Sequence, residues 1–419
     1  MAMLGFGGRG TEDGAIIGAG PLPGPPRGEE TTVSDSQDRK TFAVGTLTGV
    51  NPPLAAARSV VRMARLGRLD SILAPDHLIS VFPRAIWDSD FTAQARTVES
   101  PDAQLDFAPL LAHLAAGAGR VQLGVGVTDP HRRHPVLLAQ TFLTLAHMTK
   151  VPPILGIGSG ERENLDPYGF TWNRPVDRLE EALPVLRAAL SSTEPIDFSG
   201  RYHQIDKAPM DLTCPTNRMP QVWIGAHGPR MLELTGRYAD GWYPWESLSP
   251  DEYERRLRVV RKSAVTAGRD PDAIVPAAML QFLTARTESG ISRLLRTPSM
   301  RYVGLFASAQ VWARSGAKHP LGEDFRGLID LMPHRLTKTE VREAIAEVPE
   351  EVLRNWLIVG TPNQVLARIR ELADAGLRHA IILPSAALVS NADAAFGYGV
   401  LLWLAAKLRR PGGQPVAAA

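Results

Sequence analysis

Val121-Gln122-Leu123-Gly124-Val125-Gly126-Val127-Thr128-Asp129-Pro130 and Ile154-Leu155-Gly156-Ile157-Gly158-Ser159-Gly160-Glu161-Arg162-Glu163-Asn164 read as two strand–glycine–loop segments. The chain between them, from about His134 to His147, reads as a helix. Together they make a β-α-β unit. Its strands end in bare glycine backbone and a carboxylate, Glu161. Such ends suit a flat, polar-edged cofactor lying across them.

The same alternation extends outward. Further strand candidates are Phe42–Thr46, Asp70–Ala74, Val222–Ala226, Gly241–Tyr243, Ile274–Thr284 and His379–Leu383. Each is a short apolar run suited to burial on both faces, as parallel strands require. Helical stripes lie between them: Phe107, Leu110, Leu111 and Leu114; Leu138, Phe142 and Leu145; Leu179, Leu183, Leu186 and Leu190; Val365, Ile369 and Leu372. Eight strands alternating with helices give an α/β chain with the count of a (β/α)8, TIM-type barrel. A doubly wound open sheet is the competing arrangement. The intervals 75–104, 191–220 and 286–360 exceed ordinary connections and read as insertions into a single barrel spanning 41–408. Residues 1–40 are Gly/Pro-rich, then Ser/Asp/Glu/Thr-rich, and read as a disordered tail. Residues 409–419 read as a flexible end, preceded by an amphipathic stretch, Val400–Lys407, expected to dock on the barrel. There is no internal repeat.

Composition narrows the function. The 419 residues are 44% hydrophobic with a net charge of +2, enough for a large core and neutral toward polyanions. No dense Lys/Arg block with interleaved aromatics suggests nucleic acid. The single Cys214 excludes an internal disulfide and a Cys-rich metal site. That fits a reducing cytoplasm, and a disulfide-free secreted protein is the alternative. No signal-peptide pattern and no run of about 18 apolar residues is present.

In such a barrel the reactive groups stand where strands end. This selects Asp76 and His77 after the second strand and Thr128 and Asp129 after the third. Gly158, Ser159, Gly160, Glu161 and Asn164 follow the fourth, and Ala226-His227-Gly228-Pro229-Arg230 the fifth. Tyr243, Trp245 and Glu246 follow the sixth. His77 suits proton transfer near neutral pH, or is simply tied to a loop carbonyl. Glu161 is either an acid at the barrel mouth or an exposed loop acid paired with Arg162. Gly156, Gly158 and Gly160 do not match G-x-G-x-x-G opening a helix, so they are not a dinucleotide fingerprint. They allow close backbone approach, or only make a turn. Pro229 suits a first helical turn whose free N–H groups bind phosphate, with Arg230 adding charge. An ordinary βα turn is the plainer alternative. His131 and His134 flank Arg132-Arg133 with no third ligand, so no metal site is expected. The arginine pair suits an acidic ligand tail or a solvated face. Trp172, Trp242 and Trp245 are candidates for a substrate-pocket wall, or core.

Several of these segments resemble a known family. Gly158-Ser-Gly-Glu-Arg-Glu-Asn164 with Pro167-Tyr-Gly169, Ala226-His-Gly-Pro-Arg-Met-Leu232, Thr235-Gly-Arg-Tyr-Ala-Asp-Gly-Trp242 and His319-Pro-Leu-Gly-Glu-Asp-Phe325 look like the luciferase-like monooxygenase superfamily. Within it the chain resembles the branch that uses the deazaflavin coenzyme F420, and there the phthiodiolone dimycocerosate ketoreductase group. The resemblance runs from about Thr41 to the C-terminal helix. It implies a (β/α)8 barrel with insertions, often dimeric. It also implies a cis peptide at Gly126-Val127, and a deazaflavin on the strand ends near Gly126, Val127 and Thr128. Asp76 would contact the ring, and Asn164 with Gly158–Gly160 would line it. The stretch from Gly225 through Ala226, His227, Gly228 and Pro229 to Arg230 would hold its phosphate. His77, then Glu161, match the proton-handling positions. One departure is Lys150-Val151-Pro152-Pro153, where the family carries Gly-Arg; at a strand entry it is expected to alter a turn only.

The expected protein is therefore an F420-dependent oxidoreductase. It moves a hydride between deazaflavin C5 and a carbonyl or alcohol, with C=C or C=N reduction as variants. A small-molecule substrate, no nucleic acid, no transmembrane segment, a homodimer and a cytoplasmic location complete the expectation. The alternatives are an FMN-dependent monooxygenase on the same fold and a non-catalytic flavin-binding protein.

Overall fold

The computed structural model describes residues 42–245 and 248–409. The 1–40 tail, Glu246 and residues 410–419 lie outside the described residues. Eight strands form a closed parallel barrel. They are β1 (Ala43–Leu47), β2 (Ser71–Ala74), β3 (Gln122–Thr128), β4 (Ile154–Ile157), β5 (Gln221–Ile224), β6 (Gly241–Trp242), β7 (Val275–Thr284) and β8 (His379–Pro384). Pairing runs in chain order from β1 to β6. β7 then joins β6 to β8, and β8 returns to β1. The expected (β/α)8 barrel is borne out, and the open sheet is excluded.

Burial on both faces is what lets these short runs sit in a ring. Outward residues Ile72, Leu123, Leu155 and Val222 join the main core under the helices. Inward residues Leu73, Ile154, Trp223, Tyr243, Ala277, Met279 and Ile381 fill the lumen as a separate cluster. Each buried Leu, Ile, Val or Met among them contributes about 1.5–3 kcal/mol on leaving water. Where strands crowd, glycine is required: a Cβ on Gly156 would stand 2.3 Å from the Val125 carbonyl oxygen.

The helices follow their apolar stripes. Phe107–Ala118 is capped by Asp106, and Pro135–Met148 begins with Pro135 behind His134. Pro175–Ser191 buries Leu179, Leu183, Leu186 and Leu190. Pro362–Asp374 opens with a capping box between Thr361 and Gln364. The last helix runs from Asn391 to Leu408, starting nine residues before the expected Val400. Ser390 caps it, and Gly397 and Gly399 interrupt the stripe that would have revealed its first half. Among the described residues no helix is long and apolar enough to cross a membrane.

Two irregularities shape the mouth. β3 carries one extra residue against β4, since Val125 pairs with Leu155 but Thr128 with Ile157. The Gly126-Val127 peptide there is cis, as the resemblance implied, and Val127 packs on the lumen cluster. At the barrel's other end the Lys150–Pro153 segment bends at Lys150 and Val151 and runs extended into β4. The Pro152 carbonyl accepts from Gln122 Nε2 at 2.8 Å, and that of Pro153 from the Gln221 N–H at 2.9 Å.

The interval 75–104 is a loop with two short 3-10 turns, and 191–220 holds a hairpin, Ile196–Ser199 with Gln204–Ala208. The interval 286–360 is mostly helical and ends in an unexpected strand, Ile358–Gly360. That strand pairs with Phe282–Thr284 of β7, beyond the point where β6 has stopped. Ile86 and Phe91 of the first interval share an apolar cluster with Ile291, Tyr302, Phe306 and Trp312 of the third.

Candidate active site

Asp76 ties the ends of β2 and β3 together. It is 7% exposed. Thr128 Oγ1 donates to its Oδ2 at 2.6 Å. Arg132 donates to Oδ1 at 3.2 Å, to Oδ2 at 3.0 Å and to the Asp76 carbonyl at 2.9 Å. Arg132 also donates through Nε to Asp129 at 2.6 Å. The other Asp129 oxygen accepts the backbone N–H groups of His131 and Arg132. Buried charges persist when paired in this way. Burial opposes the Arg132 charge, but Asp129 and Asp76 overcome it and raise the guanidinium pKa above its ordinary value. Arg132, read as a solvated or tail-binding cation, is thus an internal brace.

The chain beyond β4 then folds inward. Gly158 N–H donates to the Thr128 carbonyl at 2.8 Å, and Gly160 turns the chain at φ +85°. One helical turn, Arg162–Leu165, directs Glu163, Asn164 and Leu165 into the protein. Arg162 pairs with Asp166, not with Glu161. Asn164 Nδ2 lies 2.8 Å from His77 Nδ1 and donates to Glu163 Oε1 at 3.1 Å. Asn164 Oδ1 accepts the Leu78 N–H at 2.8 Å. His77 Nδ1 stands 3.5 Å from Glu163 Oε1 and 3.8 Å from Glu161 Oε2.

This crowding sets the proton affinities. Burial, then the neighbouring Glu163 charge, push the Glu161 carboxyl up to about 8, with His77 offsetting part of the rise. The Glu161 side chain keeps 32% exposure. Burial works against a charged His77 ring; Glu163 and Glu161 outweigh it and hold its pKa above the ordinary value. His77, Glu161 and Glu163 each offer an atom within 4.8 Å of the others, a spacing open to a metal ion. The Asn164 amide donates to His77 Nδ1, so an ion would have to take Nε2, and the three groups are also close enough to exchange protons. Glu163 was not singled out from the sequence. Its only signal there was its place two residues after Glu161.

The remaining expected residues lie around this trio. The Ser159 carbonyl faces His131 Nε2 at 3.1 Å. Gly225 N–H donates to Ile157 O at 3.0 Å and ties β5 to β4. Ala226 is buried, whereas His227, Gly228 and Pro229 are exposed. Gly228 starts the helix Pro229–Tyr238 with no side-chain cap, and a Cβ there would meet nothing within 4 Å. Uncapped N–H groups beside open space fit a phosphate. Arg230 does not join them: its guanidinium is bound by Asp177 and Glu180 of the neighbouring helix. Trp242 also departs from expectation. It is wholly buried, packs against the Tyr253 ring and donates to the Ala226 carbonyl at 3.0 Å, so it is core. Trp172 is half-buried between Arg162 and Arg326. Trp245 packs on both the lumen and the insertion cluster.

The top of the lumen is an apolar shelf of half-buried Leu47, Val127, Trp245 and Leu383. Tyr243 Oη, Gln281 Oε1 and Glu163 Oε2 are buried without a hydrogen-bond partner among the described residues. A flat ring with a polar edge fits an apolar shelf with unspent polar atoms beside it. A separate cleft of about 660 Å³, lined by Arg255, Arg256, Arg314, Arg354 and Arg368 with Glu252, contains none of these groups.

Comparison with known proteins agrees with the barrel. A phthiodiolone/phenolphthiodiolone dimycocerosates ketoreductase of Mycobacterium sp. (strain JLS) is 38% identical over 340 residues, covering 80% of this chain and 90% of that protein. A 5,10-methylenetetrahydromethanopterin reductase of Archaeoglobus fulgidus is 26% identical over 273 residues, covering 65% and 79%. An F420-dependent secondary alcohol dehydrogenase, solved with an F420–acetone adduct, superposes with a TM-score of 0.67 at 19% identity, covering 88% of this chain and all of that one. The luciferase-like monooxygenase family model matches residues 37–379, and the chain belongs to that family.

Proposed function

We propose that this protein is a coenzyme F420-dependent ketoreductase acting on an apolar ketone. The observation that carries the reading is the trio His77, Glu161 and Glu163 on the loops after β2 and β4, at the same end of the barrel where the strands bearing Leu47, Val127 and Leu383 finish. Bound deazaflavin would supply a hydride, a two-electron reductant with no oxygen chemistry of its own. The protein's part is to hold ring and ketone in contact and to protonate the developing alkoxide. His77 is the first proton donor and Glu161 the second. With its pKa near 8, Glu161 holds its proton at neutral pH. Gly126, Val127, Thr128, Gly158–Gly160 and Asn164 would line the ring, and the uncapped helix start at Gly228-Pro229 would take the phosphate. Asp76 would act through the strand ends that it holds.

The substrate class rests on two supports. The Mycobacterium relative is named as a ketoreductase of phthiodiolones. Here, half-buried Phe82 and Trp245 adjoin Phe306, with Trp87 next to Phe82 and Trp356 next to Trp245, in a chain of aromatic rings drawn from the 75–104 and 286–360 insertions and the loop after β6. Such a row suits a long apolar chain more than a sugar. A homodimer in the cytoplasm belongs to the same proposal; light scattering and cell fractionation test those two points.

The enzymatic test is to incubate the protein anaerobically with reduced F420 and a panel of aliphatic ketones. Cofactor oxidation should track alcohol formation one to one. Tight FMN binding with oxygen consumption would instead establish a monooxygenase. Cofactor binding without turnover of any ketone, alkene or imine would favour a flavin-binding protein.

A further inference from the structure

Glu163 is 2% exposed, at the centre of the one-turn helix that follows β4. Its Oε1 accepts from Asn164, and its Oε2 is buried with no partner among the described residues. A carboxylate left half-satisfied in the interior costs stability that leucine would not. Its neighbours show what it does instead.

Leu78 N–H holds Asn164 Oδ1, so the amide cannot flip, and Nδ2 must face His77 Nδ1. In the neutral ring Nδ1 is therefore the acceptor and the proton sits on Nε2. A neutral imidazole is a poor acid. To release the Nε2 proton the ring must first carry a second one, on Nδ1. That N–H then points at another N–H donor and needs an acceptor. The nearest carboxylate oxygen is Glu163 Oε1 at 3.5 Å, ahead of Glu161 Oε2 at 3.8 Å.

We propose that Glu163 is a positioning residue that acts through His77: it receives the Nδ1–H of the charged ring and so makes Nε2–H acidic enough to protonate a substrate oxygen. This rests on the carbonyl-reductase reading of the site. The proton balance closes: the ring gives Nε2–H to the alkoxide, keeps Nδ1–H on Glu163, and regains a proton at Nε2 from solvent. Nδ1 is taken by Asn164 and the carboxylates, which leaves Nε2 to meet the substrate. Arg132 is the cation that opposes charge on the ring, and the Glu163 charge also acts on His334 from the third insertion. The Glu163 hydrogen bond is the largest of the contributions that favour the charged ring.

The test is a histidine-ring NMR titration of cofactor-free protein, with His77 assigned by His77→Gln. In Glu163→Gln the His77 midpoint should fall by about one pH unit or more, a tenfold change in its protonation equilibrium. The alkaline limb of kcat for ketone reduction should move down with it while KM stays put. Glu163→Asp should recover part of the shift. Glu163→Leu, which fills the volume without a head group, must move the midpoint the same way. An unmoved midpoint in both Gln and Leu variants, with only unfolding altered, would overturn the proposal. The NMR arm needs no substrate, so a wild-type protein that reduces no ketone refutes the functional reading separately.

Discussion

The Leu78 backbone N–H and the Asn164 side-chain oxygen are 2.8 Å apart, and that single bond decides which face of the Asn164 amide meets His77. Asn164→Asp would replace the donor with a third carboxylate beside Glu161 and Glu163. It should lower kcat at least tenfold and cost about 1–3 kcal/mol in urea unfolding, the usual penalty of a broken buried network. Cofactor-free unfolding and steady-state kinetics check the two parts separately.

Stability should depend on pH through the same cluster. Glu161 titrates at about 8 in the folded chain against an ordinary 4.5, so folding retains a proton that the unfolded chain gives up. Stability then falls as pH rises across that window. His77 adds in the same direction. Its pKa is raised from 6.5, so its contribution is complete below that value and is lost as pH rises through the folded one. Urea midpoints measured at about pH 5, 7 and 9 should decline in wild type and stay flatter in Glu161→Gln. A parallel decline in both would show that Glu161 is not the group responsible.

Asp76→Asn should act mainly on the fold. Arg132 would keep Asp129 but lose its second carboxylate, leaving part of a buried charge uncompensated. We expect a loss on the order of 2–4 kcal/mol, below that of a fully orphaned ion. Calorimetry of the cofactor-free protein measures it. Activity should fall as the ends of β2 and β3 loosen.

Gly228→Asp should move stability and cofactor binding in opposite directions. An aspartate is a better helix cap than glycine by a few tenths of a kcal/mol, and space for it is open. The same charge would repel a phosphate at that helix start. Tm should therefore hold or rise, while F420 affinity, read by fluorescence titration, should drop at least tenfold. Unchanged affinity would remove the phosphate from this position.

The barrel was legible because its strands are short apolar runs with no competing helical period. Ile154–Ile157 is the plainest, closed off by Gly158. Ile358–Gly360 went unread because three residues after a tryptophan carry no period, and only their seat on β7 makes them a strand. Among site residues, His77 and Glu161 declared themselves by standing where strands end. Glu163 and Arg132 did not: an acid in a Glu-Arg-Glu run and an arginine in a His-Arg-Arg run both look solvated. Their burial depends on partners 86 and 56 positions away along the chain, respectively, Glu163 on His77 and Arg132 on Asp76. Arg230 and Trp242 show the converse, since position after a strand gives proximity but not the direction of a side chain.

The length of β7 has a consequence for how such an enzyme can diversify. Its first residues close the ring against β6, and its last three carry Ile358–Gly360 as a rail carries a coupled wagon. The trio His77, Glu161 and Glu163 comes wholly from the loops after β2 and β4. The segment between Arg286 and Trp356 supplies none of the three; apart from His334, whose charge is coupled to Glu163, it can be lengthened or repacked to suit a new substrate. The chemistry stays where it is, and the rail keeps the replacement in register with it.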